Sequence, residues 1–225
     1  MKAVYIVIPA YDEEKLIGQV VQDVAKEGFT SIIVVDDGSS DTTSQAAQSA
    51  GAIVIRHRIN RGKGAATRTG IEAAVQLGAD IVVTMDGDGQ HSPKDIHAVI
   101  QPIMENKYEV VLGSRQISKG AMPSHKIVHN KIANTITLLY SGIRVQDSQS
   151  GFRAYSRHAC TLLDTTSDSY EYESEIIRLI AAHKLSYVEA PISTLYTDYS
   201  TSKLHKQDIS NGIRTVYKML WKALS

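Results

Sequence analysis

One cysteine stands in 225 residues. A single thiol closes no intramolecular disulfide, so nothing points to an oxidising compartment. Cys160 lies between Ala159 and Thr161 without the spacing of a metal site, which predicts a buried structural thiol. Net charge is missing as well, because 24 Lys and Arg offset 24 Asp and Glu; this argues against a general nucleic-acid coat, and no nucleic-acid partner is expected. No apolar run approaches the roughly 20 residues that cross a bilayer, so membrane contact would have to be peripheral. A secretion signal is also lacking, since the N-terminus enters the apolar run Ala3–Ile8 directly and meets Pro9 and Asp12-Glu13-Glu14, giving the expectation of a cytoplasmic protein. Low-complexity linkers are absent, and the length suits one large domain with a sizeable core.

What is present is alternation. Short β-branched runs at Ala3–Ile8, Ser31–Val35, Ala52–Arg56, Asp80–Met85 and Glu109–Gly113 read as strands. Helical-period segments follow the first four, at Glu13–Lys26, Asp41–Ser49, Lys63–Gln76 and Pro93–Glu105. That pattern predicts an α/β, Rossmann-like, mostly parallel sheet covered by helices on both faces, with ligands at the strand carboxyl ends. Beyond Gly120 the order becomes irregular: helices near Lys126–Ser141, Arg157–Asp164 and Glu171–His183, strands near Gly151–Tyr155 and Ser186–Leu195, and a last helix near Gln207–Leu224. Two caps are structural first, Ser40-Asp41-Thr42 and Ser92-Pro93.

The chemistry gathers where these strands end. Thr84-Met85-Asp86-Gly87-Asp88-Gly89-Gln90 runs an apolar strand into two aspartates. Their repulsion is relieved by a hard cation bound together with phosphates, Mg²⁺ or Mn²⁺, and Gly87 lets a ligand approach the backbone. The competing reading is a polar Asp-Gly turn. Val35-Asp36-Asp37-Gly38-Ser39 closes the second strand and Pro9-Ala10-Tyr11-Asp12-Glu13-Glu14 the first. Acids there can accept hydrogen bonds from a ribose or base edge, with Tyr11 stacking on the base, while Asp12, Glu13 and Asp41 can equally serve helix N-termini. Asn60-Arg61-Gly62-Lys63-Gly64 follows the third strand as a glycine-rich cationic helix start, where Lys63 either meets a phosphate or packs. It is no Walker loop, and G-x-G-x-x-G is missing.

Charge is unevenly placed. Val110–Gln146 carries Arg115, Lys119, Lys126, Lys131 and Arg144 with no acid at all, beside apolar residues at helical spacing. The C-terminal segment pairs Ile213, Val216, Tyr217, Leu220, Trp221 and Leu224 with Arg214, Lys218 and Lys222. Both fit either an anionic membrane surface or ordinary docking on the domain or on a second subunit of a homo-oligomer.

In combination, Pro9-Ala-Tyr-Asp-Glu-Glu14, Val35-Asp-Asp-Gly-Ser39, Asn60-Arg-Gly-Lys-Gly64 and Asp86-Gly-Asp-Gly-Gln90 resemble the family 2 glycosyltransferases of GT-A fold. Gly113-Ser-Arg115, Asp147-Ser-Gln-Ser-Gly-Phe152 and Ser202-Lys203-Leu204 look like the branch that loads polyprenyl phosphates, the dolichyl-phosphate mannose and glucose synthases. The resemblance covers the whole chain and implies one domain over residues 1–225, with a nucleotide-sugar half (1–115) and an acceptor half (116–225) ending in an amphipathic helix. It implies that Asp86 and Asp88 form a DxD metal motif, with Gln90 as a further metal-side ligand. It also implies that Pro9, Tyr11, Glu13, Val35 and Asp37 hold the donor nucleotide, and that Arg115 and Lys203 meet its diphosphate or the acceptor phosphate. One departure is visible: the mannose synthases carry an arginine six residues before the Ser-Lys-Leu lysine, and here that place is Thr197.

The expected reaction is inverting, metal-dependent transfer from a GDP- or UDP-sugar to a polyprenyl phosphate, at the cytoplasmic membrane face. A phosphate acceptor, with a second pKa of about 6, needs no general base. A hydroxyl acceptor would need one, for which Asp147 or Glu173 are the candidates. That soluble, hydroxyl-directed glycosyltransferase is the first rival, and a non-catalytic sugar-nucleotide-binding module is the second.

Overall fold

A computed structural model describes residues 2–115, 134–169 and 171–195. Seven strands form one sheet: β1 (Val4–Ala10), β2 (Ile32–Asp36), β3 (Ile53–Arg56), β4 (Ile81–Thr84), β5 (Val110–Arg115), β6 (Arg153–Ser156) and β7 (Tyr187–Ile192). Their order is β3-β2-β1-β4-β6-β5-β7. The helices are α1 (Ile17–Lys26), α2 (Thr43–Ser49), α3 (Lys63–Gln76), α4 (Ile96–Met104), α5 (134–141), α6 (Arg157–Leu162) and α7 (Tyr172–Ala182).

Alternation along each strand builds two buried layers. Ile6, Ile8, Ile32, Val34, Ile81 and Val83 face Ile17, Val20, Val21 and Val24 of α1 and Ile96, Val99 and Ile103 of α4. Between these, Val7, Ile33, Val35 and Val82 turn to Ala66 and Ala74 of α3, while Val110, Leu112 and Tyr155 meet Ile176, Ile177 and Ile180 of α7. Successive strand residues point to opposite faces, so a run apolar at every position is what a doubly covered sheet requires. Small residues let α3 sit close: a Cβ on Gly70 would lie 2.3 Å from Val7 Cγ1.

The expected parallel sheet is found for β1, β2, β3 and β4, which pair in parallel. It is interrupted by β6, antiparallel to both β4 and β5, with β7 parallel to β5 at the edge. The strands of both expected halves thus share one sheet. Two helices also begin later than expected, α1 at Ile17 rather than Glu13 and α2 at Thr43 rather than Asp41. The reason is mutual: the acids ahead of each helix bond to the neighbouring loop. Asp12 Oδ1 accepts from Ser40 N at 2.8 Å, Glu14 Oε2 from Thr42 N at 3.1 Å, and Asp41 Oδ2 from Glu14 N at 3.1 Å. Asp41 also takes Thr43 N at 2.9 Å, the local cap expected of it. The first part of the helix expected at Lys126–Ser141, and all of that expected near Gln207–Leu224, lie outside the described residues.

Candidate active site

The ends of β1, β2 and β4 are neighbours in the sheet, so their three acidic sequences meet along one rim. The roles diverge from there. Asp36 and Asp37, closing β2, are buried and turned to the chain itself. Asp36 accepts from Ser39 N at 2.8 Å and from Ser44 Oγ, with Arg56 Nε 3.6 Å away. Asp37 Oδ1 takes the Nδ1–H of His57 at 2.7 Å and Arg61 N at 3.0 Å, and its Oδ2 takes Gly62 N at 2.7 Å. The carboxylate expected at the nucleotide also anchors the loop that launches α3. Gly62 sits there with φ 101°, where a Cβ would lie 2.2 Å from the Asp168 carbonyl oxygen.

That carbonyl also accepts from Gly64 N at 2.9 Å. The leading amides of α3 are thereby spent within the fold, and the helix start is not the open phosphate cradle its Gly-Lys-Gly suggested. Lys63 turns inward instead. Its Nζ lies 2.7 Å from Asp86 Oδ1 and 3.0 Å from Glu173 Oε1 of α7. Burial works against the ammonium, but the two carboxylates outweigh it and raise its pKa above the ordinary lysine value.

The β4 end keeps more of its charge in play. Burial opposes ionisation of Asp86, yet Lys63 above all brings its pKa down to about 2. Asp88 goes the other way, raised by burial and then by the negative Asp86 beside it. Its carboxylate is aimed by Gln90, which donates its main-chain N–H at 3.0 Å and its Nε2 at 2.8 Å. His91, buried and stacked on Phe152 at 5.1 Å, accepts from Asp86 N at 3.1 Å through Nδ1, which leaves its proton on Nε2. Burial, the largest influence, lowers the pKa of His91, so the neutral ring is favoured. The loop is tied down further by Leu195 N donating to Gln90 O at 2.8 Å. Lys203 lies outside the described residues.

Arg115 ends β5 and grips Asp147: Nε to Oδ2 at 2.6 Å and Nη2 to Oδ1 at 2.9 Å, a bidentate pair that the Arg115 main-chain N–H reinforces at 3.2 Å. Burial would raise the Asp147 pKa, but this grip overrides it and leaves the carboxylate below its usual range. Such a group is a poor proton acceptor. Arg153 is structural: fully buried, it donates to the carbonyls of Ser148, Ser150 and Glu173. Of the residues expected at the nucleotide, Tyr11 is 47% exposed on the rim and Glu13 is buried. Pro9 lines a small cavity with Lys63, Asp86, Gly151 and Glu173. Val35 is buried against α3, its Cγ2 3.1 Å from where a Gly70 Cβ would stand, so its side chain serves the core. Gly87 tucks beneath the loop, a Cβ there falling 3.3 Å from Pro9 O. Cys160, expected to be buried, is a half-buried free thiol whose pKa burial pushes up to about 12.

Sequence reasoning passed over His57, His91 and the pairing of Lys63 with Glu173. Register would have located His57, because Asp36 pairs with Arg56 and the next residues on both strands are Asp37 and His57. No sequence signal links Lys63 to Glu173 at a separation of 110 residues.

Whether the rim suits a divalent cation is answered by its donors. Among the described residues no three His, Cys, Asp or Glu side chains converge as a closed protein cage. Two carboxylates at one loop, one of them destabilised by the other, suit instead a hard ion that completes its shell with substrate phosphate oxygens. The residues fit a cation that arrives with a nucleotide diphosphate.

Comparison with known proteins shows the family and the fold. The family model described as Glycosyl transferase family 2 matches residues 5–162. An uncharacterized protein of Methanocaldococcus jannaschii is 42% identical over 98% of this chain and 92% of its own length. The UDP-N-acetylglucosamine–dolichyl-phosphate N-acetylglucosaminyltransferase of Methanococcus voltae is 39% identical over 97% of this chain and 95% of its own length. Among solved structures, glucosyl-3-phosphoglycerate synthase from Mycobacterium tuberculosis, in complex with Mn²⁺, UDP and phosphoglyceric acid, matches with a TM-score of 0.75 at 20% identity, covering 99% of this chain and 78% of that one. The chain belongs to glycosyl transferase family 2 and is a glycosyltransferase of GT-A fold.

Proposed function

We propose that the protein transfers a sugar from a nucleotide diphosphate to a polyprenyl or dolichyl phosphate, with inversion at the anomeric carbon and a divalent cation at Asp86 and Asp88. The observation that carries the acceptor class is the state of the two candidate bases. Asp147 is gripped by Arg115 through both carboxylate oxygens, and Glu173 is engaged through Oε1 by Lys63, so each candidate base is already committed to a cation of the chain. A lipid monophosphate, with its second pKa of about 6, is already largely dianionic near neutral pH. Its oxygen attacks the anomeric carbon as the bond to the donor β-phosphate breaks, and no proton has to move.

The chain's own groups then have three tasks. Arg115, pre-aimed by Asp147, presents its guanidinium to the negative charge that builds on the leaving diphosphate. Gln90 fixes the direction of Asp88, and Lys63 and His91 fix Asp86, so the carboxylates are in place before the donor arrives. Tyr11 supplies an exposed ring at the rim for the base. A divalent cation held by Asp86 and Asp88 supplies further neutralisation of the diphosphate. Lys203 is proposed as a further cation for the acceptor phosphate, on the resemblance stated above.

For the donor, the Methanococcus relative and the Thr197 departure from the mannose-synthase pattern favour a UDP-linked sugar, UDP-N-acetylglucosamine first. A lipid acceptor sets the reaction at a membrane surface. Among the described residues no helix is long and apolar enough to cross a membrane, whereas α5 exposes Leu139 by 81%, consistent with peripheral contact.

The test has two stages. A thermal-shift screen with Mn²⁺ and UDP- or GDP-sugars should show metal-dependent stabilisation with the UDP donor, because ligand that binds only the folded chain raises its apparent stability. Transfer to a short-chain polyprenyl phosphate should follow. Transfer to a carbohydrate hydroxyl with lipid phosphates inert would overturn the acceptor, and donor binding without any transfer would favour the binding-module reading.

A further inference from the structure

Lys63 presents a difficulty for any cation at Asp86. An ammonium 2.7 Å from Asp86 Oδ1 already neutralises that carboxylate, and a buried positive charge at this range repels a second one. Glu173 resolves the conflict. Brought in from the first turn of α7, its Oε1 lies 3.0 Å from the same Nζ, while its Oε2 is buried without a hydrogen-bond partner. An orphaned carboxylate oxygen in the interior is costly, and this one adds no further hydrogen bond to the fold. Its contribution is charge: one ammonium against two carboxylates leaves the group with a net charge of −1, where Lys63 and Asp86 alone would leave zero. Gly151 supports the arrangement, since a Cβ there would lie 2.8 Å from both Asp86 Oδ1 and Lys63 Nζ.

We infer that Glu173 is a positioning residue for the metal site, acting through Lys63: it draws off part of the lysine's charge so that Asp86 is held in place yet stays negative enough for a divalent cation. Lys63 is accordingly an internal counter-ion, with no contact to the donor phosphates. The inference rests on the divalent-metal reading of Asp86 and Asp88 above.

The test is Mn²⁺ alone, titrated into the full chain without nucleotide and followed by loss of the free-ion EPR signal. Glu173→Gln keeps the shape and an acceptor for Lys63 but removes the charge, and should weaken Mn²⁺ binding about tenfold or more. Lys63→Met removes a cation and should bind Mn²⁺ at least as tightly as wild type. The double variant, which again leaves −1 on Asp86, should return to within about threefold of wild type, a cancellation typical of directly coupled charges. Unchanged affinity in Glu173→Gln, or a tenfold loss in Lys63→Met, overturns the inference while leaving the metal site standing. Absence of Mn²⁺ binding by the wild type overturns the metal site and this inference together. Thermal unfolding without metal identifies a variant that fails to fold, and the direction seen with the other single variant then decides.

Discussion

The ends of β2 and β4 look alike in sequence, Asp36-Asp37-Gly38-Ser39 against Asp86-Gly87-Asp88-Gly89, and in the fold they are held differently. At β2 the donors outnumber the spare oxygens: Ser39 N, Ser44, His57, Arg61 N and Gly62 N consume both carboxylates. At β4 the two carboxylates share few donors, and Asp88 is left with a pKa raised by burial and then by the field of Asp86. On the proposed reading, a paired-acid motif serves a ligand where the surrounding chain does not satisfy it. Where backbone amides and a histidine reach it first, it is a structural anchor.

That contrast can be broken by deleting each end in turn. The largest effect is expected from Asp88→Ala: a loss of about 10³-fold or more in turnover, about 4 kcal/mol of barrier, with the metal-dependent thermal shift gone and the ligand-free unfolding temperature not lowered. Turnover near wild type would place the metal elsewhere. Arg115→Ala should follow, with turnover down about 10²–10³-fold and, unlike Asp88→Ala, a stability loss of a few kcal/mol because Asp147 is left buried and unpaired. Both are read from a transfer assay beside denaturant unfolding.

Asp37→Ala reverses the profile. Losing charge-assisted bonds to His57, Arg61 and Gly62 should cost about 2–3 kcal/mol of stability, with Mn²⁺ affinity retained; intact stability would refute the anchor role. Asp41→Ala, removing the cap ahead of α2, should cost about 1 kcal/mol. The smallest effect is in pH. Asp147 has a depressed pKa in the fold, so its contribution is present above the unfolded carboxylate value of about 4 and disappears as pH falls through the lower folded value. Unfolding of Asp147→Asn, measured from pH 5 downward, should accordingly show a shallower acid dependence than wild type.

Much of the fold was legible before the structure. Runs such as Ile32–Val35 are apolar at every position, and α3 begins and ends at the expected Lys63 and Gln76, because local period and glycine punctuation carry that information. The direction of β6 was not legible: a four-residue strand has no local signature of being parallel or antiparallel, and its place between β4 and β5 depends on how the segment before it returns. The site divides in the same way. Asp86, Lys63 and Arg115 stand out by sequence, whereas much of what surrounds them comes from elsewhere: Glu173 of α7 faces Lys63, Asp147 of the loop before β6 grips Arg115, and the Asp168 carbonyl from the turn before α7 takes Gly64 N at the start of α3.

The sequence by itself determined the alternating layers, the acids at three strand ends and the family of the chain, since each is written in contiguous residues. Only the tertiary structure decided which acids remain available, because a buried carboxylate is defined by the donors and charges within a few ångströms of it, and those arrive from other elements of the fold: Lys63 from α3 to Asp86 and Glu173, and Arg115 from β5 to Asp147.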